Sequence, residues 1–522
     1  MKRIIILIII ISFFYKLEAQ VNFKDAVGLY EDGSYQIALK QFKKLYRKKK
    51  DDIDLNYYIA MCYLKNDGIK SEALSYLKKI KKNTTATLPE DLDFQIARAT
   101  FHNHEFEKAK TIFLQYKENN RSIITTEEIR EINRFIEVCD NAKELVKNPI
   151  NVTFINLGKN INSKWSDYDP FVTEDGQQLV YTSNKKYISD FQELIHNAYW
   201  SYPEYNDDGS EWRKKKSFGS KVNTESYEIV VGMSHNGEKV FINLKGFIAE
   251  DDIFITSKTG KRFNELQNLT ETINSKFIED GACFSQSEDT IYFASNRPGG
   301  YGGLDLYISV KLPDGSWGKP QNLGNKINSK YDENYPQISY NGNEIYYASK
   351  GFNSMGGYDI FKSKKINGQW FKPQNIGYPL NDTYDNNVIS FVQYKRYAYI
   401  SKSLENGFGY SDVYKVIFND IPPPSLVYTG TIRVGKSWKS EPLEKYDEDI
   451  DIIVTNISTG EKLKGFSYNK TTKKYVVALK PGKYQIKITG EKYMPLIQKI
   501  EIHDVQALNI VNEVNLFLNL KQ

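Results

Sequence analysis

The stretch Asn322-Leu-Gly-Asn-Lys-Ile-Asn-Ser329 decides the fold, because the chain repeats it. Copies stand at Asn156-Leu-Gly-Lys-Asn-Ile-Asn-Ser163, Asn268-Leu-Thr-Glu-Thr-Ile-Asn-Ser275 and Asn375-Ile-Gly-Tyr-Pro-Leu-Asn-Asp382, with a weaker one at Phe218-Gly-Ser-Lys-Val-Asn-Thr224. The anchor residues Ile161, Val222, Ile273, Ile327 and Leu380 are 61, 51, 54 and 53 positions apart. Such a period marks propeller blades or an array, in which each unit buries its apolar face on its neighbours. In the fourth unit Tyr335-Pro-Gln-Ile-Ser-Tyr340 meets Asn341-Gly342, then Glu344-Ile-Tyr-Tyr-Ala-Ser349, a glycine-rich turn, Tyr358-Asp-Ile-Phe-Lys-Ser363 and Gly368-Gln-Trp-Phe-Lys-Pro-Gln-Asn375. Asn-Gly between alternating apolar runs signals a tight hairpin, so each unit should hold four short antiparallel strands.

Residues 150–418 therefore read as an all-β propeller. The fifth unit supplies strands near 388–392, 397–401 and 412–417 and then stops, while a spare strand stands at the front, Val152-Thr-Phe-Ile-Asn-Leu157. Pairing the two ends removes the open edges that invite aggregation. Five blades are expected, or six if the long first unit holds another. Residues 184–216, with Trp200, Trp212 and the basic run Lys214 to Lys216, read as an insertion offering a ligand or partner surface. The cassette recurs as Asp169-Pro-Phe-Val-Thr-Glu-Asp-Gly176 with Gln178-Leu-Val-Tyr-Thr-Ser183, and as Thr290-Ile-Tyr-Phe-Ala-Ser-Asn-Arg297. It resembles the PD40, or WD40-like, propeller repeat. Asp252, Asp305, Asp359 and Asp412 each open a third strand, 53, 54 and 53 residues apart. Repeated carboxylates suit cations, but an aspartate accepting backbone N–H bonds in a tight turn is the simpler reading. No metal site is expected.

Upstream, over 20–147, apolar and small residues recur at helical spacing, and Ala38, Ala73 and Ala109 lie 35 and 36 residues apart. Tyr35-Gln-Ile-Ala38 and Phe106-Glu-Lys-Ala109 resemble the start of the second helix of a tetratricopeptide (TPR) repeat, which implies an all-α solenoid with a partner groove. A further helix near 126–146 would cap it. Tyr35 and Tyr63 are candidates for the partner surface. His102 and His104 read as exposed turn residues in preference to metal ligands. Cys62, Cys139 and Cys283 lack ligand or disulfide spacing and read as buried apolar residues.

Downstream, Pro422-Pro-Pro424 marks a linker over 419–426. Over 427–522 short strands with frequent turn signals, Asp451-Ile-Ile-Val-Thr455, Lys474-Tyr-Val-Val-Ala-Leu479 and Gln485-Ile-Lys-Ile-Thr489 among them, predict a small β-sandwich. The order Asn456-Ile-Ser-Thr-Gly-Glu461, Leu479-Lys-Pro-Gly-Lys-Tyr484 and Gly490-Glu-Lys-Tyr493 resembles the transthyretin-like, carboxypeptidase regulatory-like domain, which implies no peptidase activity.

The remaining readings concern compartment and chemistry. The chain has 522 residues and a formal charge of +5, a surplus too small to nominate nucleic acid as a partner. Lys2-Arg3, the apolar run from Ile4 to Ile11 and Ala19 read as a cleaved signal peptide over 1–19, too short to span a bilayer comfortably, and no other stretch suits a transmembrane segment. A periplasmic or external location is expected. GxSxG, HExxH, Walker A and a Rossmann GxGxxG in context are all missing, so neither an enzyme nor a cofactor is expected. The domain order resembles periplasmic OmpA-family proteins associated with type IX secretion and gliding. That family continues into an OmpA-like, peptidoglycan-gripping domain, which does not occur up to Gln522. The resemblance implies a scaffold or adaptor for envelope or secretion-machinery proteins. The alternatives are a glycan- or peptide-binding propeller face, and a secreted or surface adhesin-like protein.

Overall fold

The structure, a computed structural model, describes residues 22–521 apart from 84–86, 189–192, 205–210, 246–250, 393–394, 424, 436–438, 440, 444–449, 464–465, 467, 470, 472–473, 503–510 and 514. The expected signal segment 1–19 and Pro424 of the linker lie outside the described residues. Two compact units divide the chain, Met1–Ile136 with Ile188–Glu193, and Glu137–Tyr187 with Leu194–Gln522.

Seven α-helices open the described chain: α1 (Phe23–Glu31), α2 (Tyr35–Tyr46), α3 (Ile53–Lys65), α4 (Ala73–Lys81), α5 (Leu92–His102), α6 (Phe106–Asn119) and α7 (Thr126–Leu145). Side chains mark several starts. Asn22 caps the Asp25 amide at 2.8 Å and Asp52 caps that of Leu55 at 3.0 Å. Thr125 and Glu128 form a reciprocal capping box. Consecutive helices pack in pairs, and Ala26, Ala38, Ala60, Ala73, Ala97 and Ala109 are fully buried where those helices approach. Phe42, Phe101 and Phe113 fill the seams, each worth about 1.5–3 kcal/mol on burial. Among the described residues no helix is long and apolar enough to cross a membrane.

From Val152 to Phe418 the chain forms five antiparallel sheets in a propeller-like ring. Their innermost strands are Asp167–Val172, Tyr227–Met233, Glu279–Phe284, Glu333–Ile338 and Ser390–Phe391. The fifth sheet takes its outer strand from the front of the chain: Val152–Asn156 pairs with Asp412–Phe418 in the register Val152↔Phe418 to Asn156↔Tyr414. One backbone bond recurs between sheets. Glu279 N–H donates to Asp251 O, Glu333 to Leu304 O at 2.6 Å and Asn386 to Tyr358 O at 2.6 Å, and Asp167 closes the ring by donating to Ser411 O at 2.8 Å. Glycine is required where the third-strand turns of the third, fourth and fifth sheets meet the next sheet. A Cβ at Gly302, Gly356 or Gly409 would stand 1.9, 2.5 or 2.1 Å from a backbone oxygen of Tyr331, Asp382 or Trp165.

Residues 184–216 are not an insertion. Glu193–Ser201 and Lys216–Ser217 are the third and fourth strands of the first sheet, with a small hairpin, Pro203–Glu204 against Glu211–Trp212, between them. Between 150 and 418 no sixth four-stranded sheet occurs among the described residues.

After the linker, Leu426–Gly430 pairs antiparallel with Lys474–Leu479, so regular structure resumes at Leu426. A separate sheet orders Lys462–Leu463, Asp451–Asn456, Gly482–Gly490 and Tyr493–Ile502. Val454, Tyr475, Val477, Ile488 and Tyr493 fill the core of this β-rich region.

Candidate functional site

The repeated phrase builds scaffold. The asparagine at its seventh position brackets the backbone of the third strand: Asn328 accepts from Leu306 N–H at 2.8 Å and donates to Leu306 O at 3.0 Å, and Asn381 does the same for Ile360, Asn274 for Ile253 and Asn162 for Val413. The same amide donates to the first asparagine of the phrase, as Asn328 does to Asn322 at 2.8 Å. The closing serine then bonds the acid that opens the next sheet, Ser329 to Glu333 and Ser275 to Glu279. Each copy thus staples one sheet and hands over to the next, which explains its recurrence without a ligand.

The aspartates belong to this framework. Asp305 accepts the amides of Tyr301 at 2.6 Å and Gly302 at 3.0 Å, and the Asn322 side chain at 2.7 Å. Asp359 holds the Met355 amide and Asn375, and Asp412 holds the Phe408 amide and Asn156. Asp252 opens the corresponding strand of the second sheet and is half-buried. Among the described residues no cluster of three or more His, Cys, Asp or Glu suits a metal ion.

The aromatic candidates occupy other places than a ligand surface. Trp200 is 4% exposed and packs edge-on against Phe263 at 5.9 Å, because its segment is a strand of the first sheet. Trp212 is 3% exposed and meets Tyr399 of the fifth sheet at 5.7 Å. Tyr63 is buried beside Tyr76, and Tyr35 is half-buried against Tyr30. His102 is a correction too: it is buried in α5, where desolvation pushes its imidazole well below the usual range, and only His104 stands exposed in the turn. None of the three cysteines forms a disulfide, and all are buried.

What the ring does build is a cavity of about 360 Å³ at the ends of the innermost strands. Every sheet contributes: Phe171 and Glu174 from the first, Met233 and His235 from the second, Cys283 and Phe284 from the third, Gln337, Ile338 and Tyr346 from the fourth, Ile389, Phe391 and Lys395 from the fifth. Most of these residues lie in, beside or just after an innermost strand, whereas Tyr346 comes from the second strand of the fourth sheet.

Most of the titratable groups of the cavity are buried or engaged. Burial raises the Cys283 thiol to about 12 and lowers the His235 imidazole, so neither is an activated nucleophile or a cation at neutral pH. Lys395 pairs with Glu344 and donates to the Tyr346 hydroxyl at 3.2 Å, while Lys362 holds the other oxygen of Glu344 at 2.6 Å. Burial pushes the Glu344 carboxyl upward, but the two lysines overcome this and leave it lowered. The lining serines are engaged internally: Ser390 with the backbone of Val172, Ser234 with Asn236 and Ser339 with Asn341.

No protein-family model matches the chain, and no curated protein sequence matches it. Solved structures resembling it include a Trypanosoma rangeli sialidase in complex with the inhibitor DANA (10% identity, 67% of this chain and 89% of that one, TM-score 0.33). Others are a Bacteroides ovatus xyloglucan PUL GH43B (10% identity, 67% and 92%, TM-score 0.32) and a GH43_12 retrieved from capybara gut metagenome (12% identity, 69% and 80%, TM-score 0.34). At these scores the likenesses carry no functional argument, and the propeller-like architecture rests on the sheets themselves.

Proposed function

We propose that the chain is a non-enzymatic scaffold of the cell envelope that holds protein partners, one of them through the axial cavity. In this reading the helices form a TPR-like solenoid with its own partner groove. The ring is a five-bladed PD40-type propeller, the C-terminal region is a carboxypeptidase regulatory-like sandwich, and the protein works in the periplasm. Type IX secretion or gliding proteins are the partners its domain order suggests.

The observation that carries the binding role is the cavity itself, aromatic and aliphatic, fed by every sheet and lacking an activated nucleophile. Its serine hydroxyls already have partners, which disfavours a glycan, whose many hydroxyls need free donors and acceptors. The test is crosslinking in intact cells, with fractionation and mass spectrometry, comparing wild type with Gln337→Trp, which fills the half-buried Gln337 position in the cavity wall. Crosslinks from the ring to envelope proteins should fall at least about tenfold in the variant, the loss of about 1.4 kcal/mol. An unchanged partner set at equal abundance would refute the reading.

A further inference from the structure

The cavity's two charged side chains, Lys395 and Glu174, are unequally provided for. Lys395 has Glu344 and the Tyr346 hydroxyl, and its ammonium lies 5.3 Å above the Tyr346 ring. The half-buried Glu174 has no such partner among the described residues. The influences on its carboxyl are burial, the neighbouring Asp175 and the field of Lys395, with no hydrogen bond among them. That carboxylate keeps acceptor capacity facing the cavity, which a ligand's charged donor can use.

Resting on the reading of the cavity as a protein-binding site, we propose that it receives a basic side chain, lysine or arginine, from an extended segment of the partner. The aliphatic stem lies on Phe171, Ile389 and Phe391, and the charged head meets Glu174. Long basic side chains suit such a site because their methylenes cover apolar walls while the head stays at a polar mouth. The aromatic faces add attraction for a cation. An acidic side chain would face Glu174 and Asp175, and a neutral apolar one would bury Glu174 further without giving it a donor. Lys395 opposes the incoming charge only in part, because Glu344 already holds it.

The test uses the full chain and capped pentapeptides, acetyl-Gly-Gly-X-Gly-Gly-amide, with X as lysine, arginine, norleucine or glutamate, followed by ligand-observed NMR. Lysine and arginine peptides should bind about tenfold more tightly than norleucine, the glutamate peptide more weakly still. Glu174→Gln should abolish that preference without weakening norleucine binding or lowering the thermal midpoint. Equal affinity for lysine and norleucine, or a preference that survives Glu174→Gln, overturns the proposal but leaves the protein-binding reading standing. If no peptide binds, or if Gln337→Trp leaves peptide binding intact, the cavity reading itself fails and the proposal with it. Binding of a xylo- or glucohexaose that Gln337→Trp blocks, with no peptide bound, also overturns both in favour of a glycan.

Discussion

In the third sheet the carbonyl of Ile273, inside the repeated phrase, is met by the Arg297 guanidinium at 2.7 Å; in the fourth, the equivalent carbonyl of Ile327 is met by the Tyr347 hydroxyl at 2.9 Å. The swap extends to the neighbours. Phe293 stands where the fourth sheet has Tyr347, and Gly351 stands where the third has Arg297. A Cβ at Gly351 would lie 2.1 Å from Ser329 Oγ, so the fourth corner has closed over the space that an arginine needs. Both corners bury a glutamate bonded to the phrase serine, but among the described residues only Glu279 has a cation, Arg297 at 3.0 Å. Glu333 has three hydrogen bonds and, among the described residues, no cation, and burial raises its carboxyl to about 7. The repeat specifies a satisfied carbonyl and leaves open whether a charge or a phenol does the work. The acid beside it then meets a guanidinium in one corner and hydroxyl and amide donors in the other.

The strongest way to break this comparison is Arg297→Met, which strands the fully buried Glu279 carboxylate and leaves the Ile273 carbonyl unpaired. It should lower ring stability by about 3–5 kcal/mol in urea unfolding, and a loss below about 1 kcal/mol would mean that the ion pair is not structural. Next comes Tyr347→Phe, which restores the residue type of the third sheet but removes the donor to Ile327. The expected loss is about 1–3 kcal/mol, with no rescue by adding Gly351→Arg, because of the crowding at Ser329. The smallest effect at neutral pH, and the sharpest, is Glu333→Gln. The folded chain holds the Glu333 proton up to about pH 7, whereas the unfolded chain releases it near the ordinary carboxylate value. Between those values the folded state binds more protons, so its stability falls as pH rises, by up to about 1.4 kcal/mol per pH unit. The glutamine variant should lose that slope in unfolding series run from pH 4.5 to 8, and parallel curves for the two proteins would disprove the assignment.

The ring was legible in the sequence because its parts repeat. The phrase, the Asn341-Gly342 turn and the spare strand at Val152 each state a local geometry, and the sheets use them that way. The first sheet was misread for the opposite reason: its third strand, Glu193–Ser201, follows a long hairpin, so Trp200 looked like decoration on an insertion and is core. His102 was misread because a turn was expected to start one residue too early. The cavity had no motif to announce it. Phe171, Met233, Ile338 and Phe391 are ordinary strand residues, and they meet only because innermost strands of the ring converge on an axis, a property of closure that no single segment contains.

The strand Val152–Asn156 has a mechanical consequence. The chain enters and leaves the ring at neighbouring residues, Val152 opposite Phe418, with Asn419 N–H bonded to Asn151 O at 3.0 Å and the Asn151 side chain bonded to Asp420 at 2.7 Å. Tension between the segments on either side of the ring therefore pulls that one pair of strands apart from their adjacent ends, in a zipper geometry that breaks bonds one at a time. The other four sheets carry no load until it opens. The ring is thus a closed loop hung on a single clasp, and that clasp is the place where the ring would first open under tension.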